Sequence, residues 1–155
     1  KATLQKAISE LSIEPKSVYS FMTRNIHIIK TLCDSIGSKF IFYLQPALFA
    51  TEKNKLSKFE TYMHTSMSTS NFIVGFAAYN YKVYQIYRKL LPVEALNNGY
   101  IFVNGDDAIK FEEKTVFSDE VHFGDRGNRL FAEHMFKALN PLIDEIAAKR
   151  TAAQH

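Results

Sequence analysis

The sequence predicts an α/β domain in which parallel strands alternate with helices. Two short apolar runs, residues 39–44 (KFIFYL) and 100–104 (YIFVN), are rich in β-forming residues and typical of strands covered on both faces. Segments with helical periodicity precede, separate and follow these runs. Because long crossovers are typical of parallel pairing, we expect helices packed against a parallel sheet.

The amino-terminal part of the chain predicts helices followed by the first strand. Residues 17–35 carry apolar side chains at a helical spacing, and Gly37 is a typical helix stop. The strand at 39–44 ends before Pro46, because proline has no N–H group for a sheet ladder, and a loop follows to residue 56. Residues 1–16 also have a helical pattern.

The middle of the chain predicts a long helical region and then the second strand. Residues 57–91 are helical in pattern and rich in aromatic side chains, with a break expected in the Ser/Thr-rich piece 65–70 (TSMSTS). After the strand at 100–104, the run Gly105-Asp106-Asp107 indicates a turn.

The last predicted element is a helix that begins near Asp125, a good N-cap residue, and runs to about Leu139. Pro141 is then expected to kink this helix or to start a new one that reaches Arg150. Two parallel strands do not make a stable sheet. Either residues 1–16 hide a strand, or the chain is part of a larger sheet, and we favour the larger sheet.

Composition indicates one globular domain over residues 1–155. The chain is 46% hydrophobic and 23% charged, with a formal net charge of +3. The densest basic cluster, Lys53, Lys55 and Lys58, lacks aromatic interleaving, so we expect a solvated loop and no nucleic-acid binding. The most apolar run, residues 72–79, is far shorter than the ~20 residues that cross a bilayer, so we expect no membrane span.

Several further features are expected to be structural. The single cysteine, Cys33, excludes an internal disulfide and is interpreted as a buried helix residue. An aromatic series in the long helical region is expected to be core, although its apolar start could instead form a lid or a partner surface. This series comprises Phe76, Tyr79, Tyr84 and Tyr87. The chain opens at Lys1 without Met, which suits a processed protein or a fragment.

The segment 117–136 (FSDEVHFGDRGNRLFAEHMF) contains the candidate catalytic residues of the chain. Asp119 lies three residues before His122, and a carboxylate at this spacing can accept the Nδ1 proton and leave Nε2 free as a general base. Asp119 and His122 are therefore the candidate catalytic residues. Glu120 is expected to be solvated, and Gly127 to permit close helix packing.

The three histidines in the helical segments are not expected to belong to a catalytic site. They have no acid at a useful spacing, so surface or core positions are expected for His27, His64 and His134. A metal site made from Asp119, His122 and His134 is conceivable, but no metal-binding motif supports it. We therefore expect no metal and no cofactor.

The block from Asp119 to Ala132 resembles the last conserved block of the SGNH (GDSL-type) esterases and lipases. That pattern has an Asp, two variable residues, a His, a short turn, a Gly and an amphipathic helix with an Ala, which match Asp119, His122, Gly127 and Ala132. The earlier runs FIFYLQPALF and LSKFE, together with Asn25, are similar to a subset of the family. The resemblance covers most of the chain, roughly residues 18–139.

The resemblance implies a flavodoxin-like three-layer α/β/α fold with a parallel sheet, of which only the carboxyl-terminal part is present. SGNH enzymes carry the nucleophilic Ser in a G-D-S motif and an oxyanion-hole Asn in G-x-N-D, and neither motif occurs here. The runs GDD at Gly105 and GDR at Gly124 have the wrong third residue. We therefore expect an N-terminal segment outside this chain to complete the sheet and to supply the Ser.

The function implied is that of an ester hydrolase or acyl transferase, in which this chain contributes the general base His122 and its orienting acid Asp119. The chain alone is expected to be inactive. Short-chain esters, acylated carbohydrates and lipids all fit as substrates. The alternative is a non-catalytic SGNH-like module that binds a carbohydrate or a protein partner, and its gene would also lack the G-D-S nucleophile.

Overall fold

The computed structural model of the protein describes residues 4–66 and 71–152. Its helices lie largely where the periodicity predicts them, and both strands lie within the predicted apolar runs. In chain order the elements are α1 (Leu4–Glu10), α2 (Pro15–Ser35), β1 (Ile41–Leu44), α3 (Lys58–Ser66), α4 (Asn71–Asn98), β2 (Ile101–Asn104), a 3-10 turn (Gly105–Ala108) and α5 (Asp125–Ala152).

The two strands pair in parallel, as the long crossover predicts. The register runs from Ile41 opposite Ile101 to Leu44 opposite Asn104. Within the described residues the sheet has these two strands alone. The α/β class is thus confirmed, and the possibility of a strand before β1 fails for residues 4–10, which form helix α1.

Helices cover both faces of this small sheet. On one face the aromatic rings of Phe40 and Tyr100 pack with centroids 5.4 Å apart, and they belong to a core cluster that includes Ile26 of α2 and Leu91 of α4. On the other face the ring of Tyr43 lies edge-on to Phe131 of α5 at 5.4 Å. The alternation of side chains along β1 therefore places α2 and α4 on one side and α5 on the other.

Three helix boundaries differ from the expectation. Helix α5 continues through Pro141 as one helix, so the second of the two alternatives at this proline, a new helix, is wrong. Asp125 is the first residue of α5 instead of its cap. The break predicted at 65–70 falls between α3 and α4, but residues 67–70 lie outside the described part of the chain. Helix α4 also runs on to Asn98, with Pro92 inside it.

Three expectations about burial are wrong. Cys33 is half-buried, and Phe76 and Tyr79 are 51% and 47% exposed, so this part of the aromatic series is not core. Of the three lysines expected in a solvated loop, Lys53 is fully buried beside Glu60, whereas Lys55 and Lys58 are exposed. No helix in residues 4–66 and 71–152 combines the length and the hydropathy needed to cross a bilayer.

Candidate active site

The carboxyl ends of the two strands lie together because the strands are parallel. After β2 the chain turns tightly at Gly105, where a Cβ atom would lie 2.5 Å from the carbonyl oxygen of Leu44. The next residue, Asp106, is fully buried and accepts hydrogen bonds from the hydroxyl of Thr51 and the backbone N–H of Glu52, both at 2.9 Å. This aspartate ties the loop after β1 to the end of β2.

Arg88 of α4 completes this anchor. Its guanidinium forms an ion pair with Asp106 and donates a hydrogen bond to the carbonyl of Ala50. The Arg88 side chain is only 8% exposed, so the pair is held away from water. The loop that follows β1 is therefore rigidly attached to the sheet and to α4.

The candidate catalytic residues lie on a short loop whose two sides pair with each other. Phe117 and Phe123 form an isolated antiparallel bridge, and the N–H of Ser118 donates to the carbonyl of His122 at 2.9 Å. The N–H of Gly124 donates to the carbonyl of Val116 at 2.9 Å. The ring of Phe117 is fully buried, so the base of the loop is fixed in the core.

The same loop is docked onto the end of β1. The side-chain amide of Gln45 donates to the carbonyl of Val121 at 2.7 Å, and the N–H of Leu48 donates to the carbonyl of Glu120 at 2.8 Å. The hydroxyl of Tyr84 in turn donates to the carbonyl of Gln45 at 2.8 Å. The loop therefore lies at the carboxyl edge of the sheet, where parallel α/β proteins commonly form binding sites.

Asp119 and His122 form a hydrogen-bonded pair in this loop. Oδ2 of Asp119 lies 2.7 Å from Nδ1 of His122. Oδ1 accepts the backbone N–H groups of Val121 at 2.9 Å and of His122 at 2.8 Å. These backbone hydrogen bonds, followed by the bond from the His122 ring, lower the pKa of Asp119 to about 2.

This geometry assigns the proton positions. Because Asp119 is a carboxylate and can only accept, Nδ1 of His122 carries the proton of the neutral ring, and Nε2 is left as an acceptor. The His122 side chain is 74% exposed, so Nε2 is open to a reacting group. The pair has the geometry of a general base and its orienting acid. Among residues 4–66 and 71–152, no hydroxyl group is hydrogen-bonded to the His122 ring.

Two histidines have partners that their sequence spacing did not indicate. Nε2 of His27 lies 2.6 Å from Oε1 of Glu94, which is distant in sequence. Nδ1 of His134 lies 2.7 Å from the hydroxyl of Tyr43 in β1. Only the tertiary structure brings these groups together. Within residues 4–66 and 71–152, no group of three His, Cys, Asp or Glu side chains is placed to hold a metal ion.

Comparison with protein-family models, with curated proteins and with solved structures finds no match for this chain. The fold and site define an α/β protein with an acid–histidine pair at the carboxyl edge of a parallel sheet.

Proposed function

We propose that this chain is the base-bearing half of an SGNH-type ester hydrolase or acyl transferase with a flavodoxin-like three-layer fold. One observation carries the proposal: Asp119 holds Nδ1 of an exposed His122 at 2.7 Å, in a loop fixed to the carboxyl end of β1. The SGNH-like block supports it, because Asp119 and His122 match the acid and the base of that pattern.

In the proposed reaction, Nε2 of His122 takes the proton of a Ser hydroxyl as the Ser oxygen attacks the ester carbonyl. The same nitrogen then gives this proton to the departing alkoxide, and the acyl group remains on the Ser. Water, or an acceptor alcohol in a transferase, attacks the acyl-Ser in the second half by the same proton path. Asp119 stays ionised throughout and stabilises the imidazolium.

The Ser is proposed to come from a second polypeptide segment that docks against β1. An open apolar groove of about 930 Å³ lies between β1 and α5, and its walls include Ile41, Leu139, Ile143 and Ile146. Within the described residues β1 pairs with β2 alone, so its other edge has backbone groups available for a further strand. A strand added there in parallel would end beside the His122 loop.

The test is fluorophosphonate labelling of the complete protein encoded by the gene, because this reagent reacts with an activated Ser. We expect labelling and hydrolysis of p-nitrophenyl acetate. His122→Ala should lower kcat/KM by about four orders of magnitude or more, and Asp119→Asn should cost less because the base survives in a poorer orientation. His27→Ala is the matched control, since His27 also contacts a carboxylate, at 2.6 Å.

Absence of labelling and of hydrolysis in the complete protein would contradict the proposal and favour the non-catalytic binding module. Hydrolysis that survives His122→Ala would assign the base to a different residue. Loss of activity on His27→Ala, with no loss of folded protein, would move the site to the helix pair α2 and α4.

A further inference from the structure

Glu60 forms a buried ion pair with Lys53 at the start of helix α3. Both side chains are fully buried. The N–H of Ser57 donates to Oε2 of Glu60 at 2.8 Å, and the N–H of Glu60 donates to the Ser57 hydroxyl at 3.2 Å. This reciprocal arrangement is a capping box, which satisfies two N–H groups at the start of the helix.

The second carboxylate oxygen of Glu60 reaches outside the helix. Oε1 accepts the backbone N–H groups of Val116 at 2.8 Å and Phe117 at 3.2 Å. The ammonium of Lys53 also donates to the carbonyl of Lys114 at 2.7 Å. The ion pair therefore holds the backbone of residues 114–117, which leads directly into the loop of Asp119 and His122.

Glu60 is held in its ionised form by the groups that donate hydrogen bonds to it. Burial by itself raises the pKa of Glu60, but the hydrogen bonds from Lys53 and from the surrounding backbone N–H groups lower it below its ordinary value. An ionised carboxylate can accept several N–H groups on its two oxygens, whereas a glutamine offers one acceptor oxygen. A hydrophobic pair of similar volume would fill the same space, so packing alone does not require the two charges.

Residues 116 and 117 form one side of the base of the loop that contains Asp119 and His122. Phe117 pairs with Phe123, and Val116 accepts the N–H of Gly124. The two backbone N–H groups that bind Asp119 belong to Val121 and His122, on the far side of this loop. A movement of residues 116–117 would therefore change the position of Asp119 relative to those donors.

We propose that Glu60, held by Lys53, is a positioning residue that fixes the Asp119–His122 pair through the backbone of Val116 and Phe117. This role rests on the proposed function of His122 as a general base. Glu60 touches neither the substrate nor the reacting atoms, and it acts only through the loop.

The test measures the pKa of Asp119 by carboxyl carbon NMR in the full chain, with and without the Glu60 carboxylate. In the wild type this pKa is about 2. Glu60→Gln should raise it toward the ordinary value of 3.8, because the donors of Asp119 are no longer held in place. In the complete protein the same variant should lower kcat several-fold with little change in KM.

A double variant, Lys53→Met with Glu60→Leu, covers the case in which Glu60→Gln does not fold. This variant removes both buried charges together, but it leaves the N–H groups of Val116 and Phe117 without their acceptor, so it should be less stable than the wild type and should still raise the pKa of Asp119 in the folded chain. The control is Glu113→Gln, since Lys55 and Glu113 form an exposed ion pair at 2.8 Å between the same two segments. This control should leave the pKa of Asp119 at about 2.

A folded Glu60 variant in which Asp119 keeps its pKa of about 2 would overturn the positioning role and leave Glu60 with a purely structural one. Loss of folding in both variants would also overturn it, by assigning Glu60 to the stability of the core. Failure of the complete protein to hydrolyse esters would contradict the proposed function alone, because the pKa of Asp119 is measured without substrate.

Discussion

Glu94 of α4 binds His27 of α2, with Oε1 of Glu94 2.6 Å from Nε2 of the ring. The same carboxylate accepts hydrogen bonds from the hydroxyl of Tyr19 and the side-chain amide of Asn98. Because Tyr19 and His27 belong to α2, these hydrogen bonds join α2 to α4. Glu94 itself is only 9% exposed. The His27–Glu94 pair and the His122–Asp119 pair differ in exposure: the His122 side chain is 74% exposed and the His27 side chain 48%.

Asp119 should make the stability of the chain depend on pH in the acid range. Its pKa in the folded chain is about 2, below the ordinary 3.8, so the ionised carboxylate favours the folded state above pH 3.8. This contribution should disappear as the pH falls from 3.8 to about 2. In Asp119→Asn it should be absent, so the difference in unfolding free energy between wild type and variant should shrink over this range.

Urea unfolding of both proteins at several pH values measures this difference. The comparison cancels the contribution of the other carboxylates, which titrate in both proteins. A difference that stays constant from neutral pH down to about pH 2 would mean that the Asp119 carboxylate is not held as the structure shows.

Gly127→Ala should destabilise the chain by about 1–3 kcal/mol through steric overlap. A Cβ atom at this position would lie 2.6 Å from the carbonyl oxygen of Val116 and 2.8 Å from Cβ of Phe123, and backbone atoms cannot move away cheaply. The matched control is Gly75→Ala in α4, where a Cβ atom meets nothing within 4 Å. Alanine should stabilise that helix by about 0.5–1 kcal/mol.

Urea denaturation of the two variants gives the comparison directly. Equal stability of Gly127→Ala and the wild type would show that α5 does not approach residue 116 closely. The close-packing role expected of Gly127 from its sequence position is confirmed by these contacts.

Asp106→Ala should cost about 3–5 kcal/mol, because it removes the buried counter-charge of the Arg88 guanidinium and leaves only the partly exposed Glu52, with Oε1 3.8 Å from Nε of Arg88. It also removes the acceptor for the Thr51 hydroxyl and for the N–H of Glu52. Glu145→Gln is the control, since it removes an exposed ion pair with Lys149 and should change stability by at most about 0.5 kcal/mol. Thermal or urea unfolding distinguishes the two, and similar small losses would contradict the anchoring role of Asp106.

The chain by itself should associate at micromolar concentration through the groove beside β1. Ile143 is 52% exposed on α5 and lines that groove, so Ile143→Gln should reduce the association without a large loss of stability. Leu96→Gln is the control, because Leu96 is 83% exposed on α4 and is not among the residues that line the groove. Sedimentation velocity measures the effect, and a wild-type chain that stays monomeric would contradict this prediction.

Local patterns predicted the features that depend on neighbours in sequence. The apolar period of α2, the two β-rich runs and the helix-stop Gly37 are decided by side chains a few residues apart. The Asp119–His122 hydrogen bond belongs to the same class, because a three-residue spacing within one loop brings the two groups within reach. These parts of the fold and of the candidate site were predictable.

Contacts between distant segments decided the rest. The sequence predicts Lys53 in a solvated loop, yet its side chain is fully buried. Its ammonium pairs with Glu60 and donates to the carbonyl of Lys114, a residue that follows β2 in the sequence. The carboxylate that contacts His27 belongs to Glu94 of α4, and the cation that pairs with Asp106 is Arg88. The burial of a charged side chain depends on whether a partner offsets its lost hydration, and such a partner is set by the packing of the whole chain, which no local pattern contains.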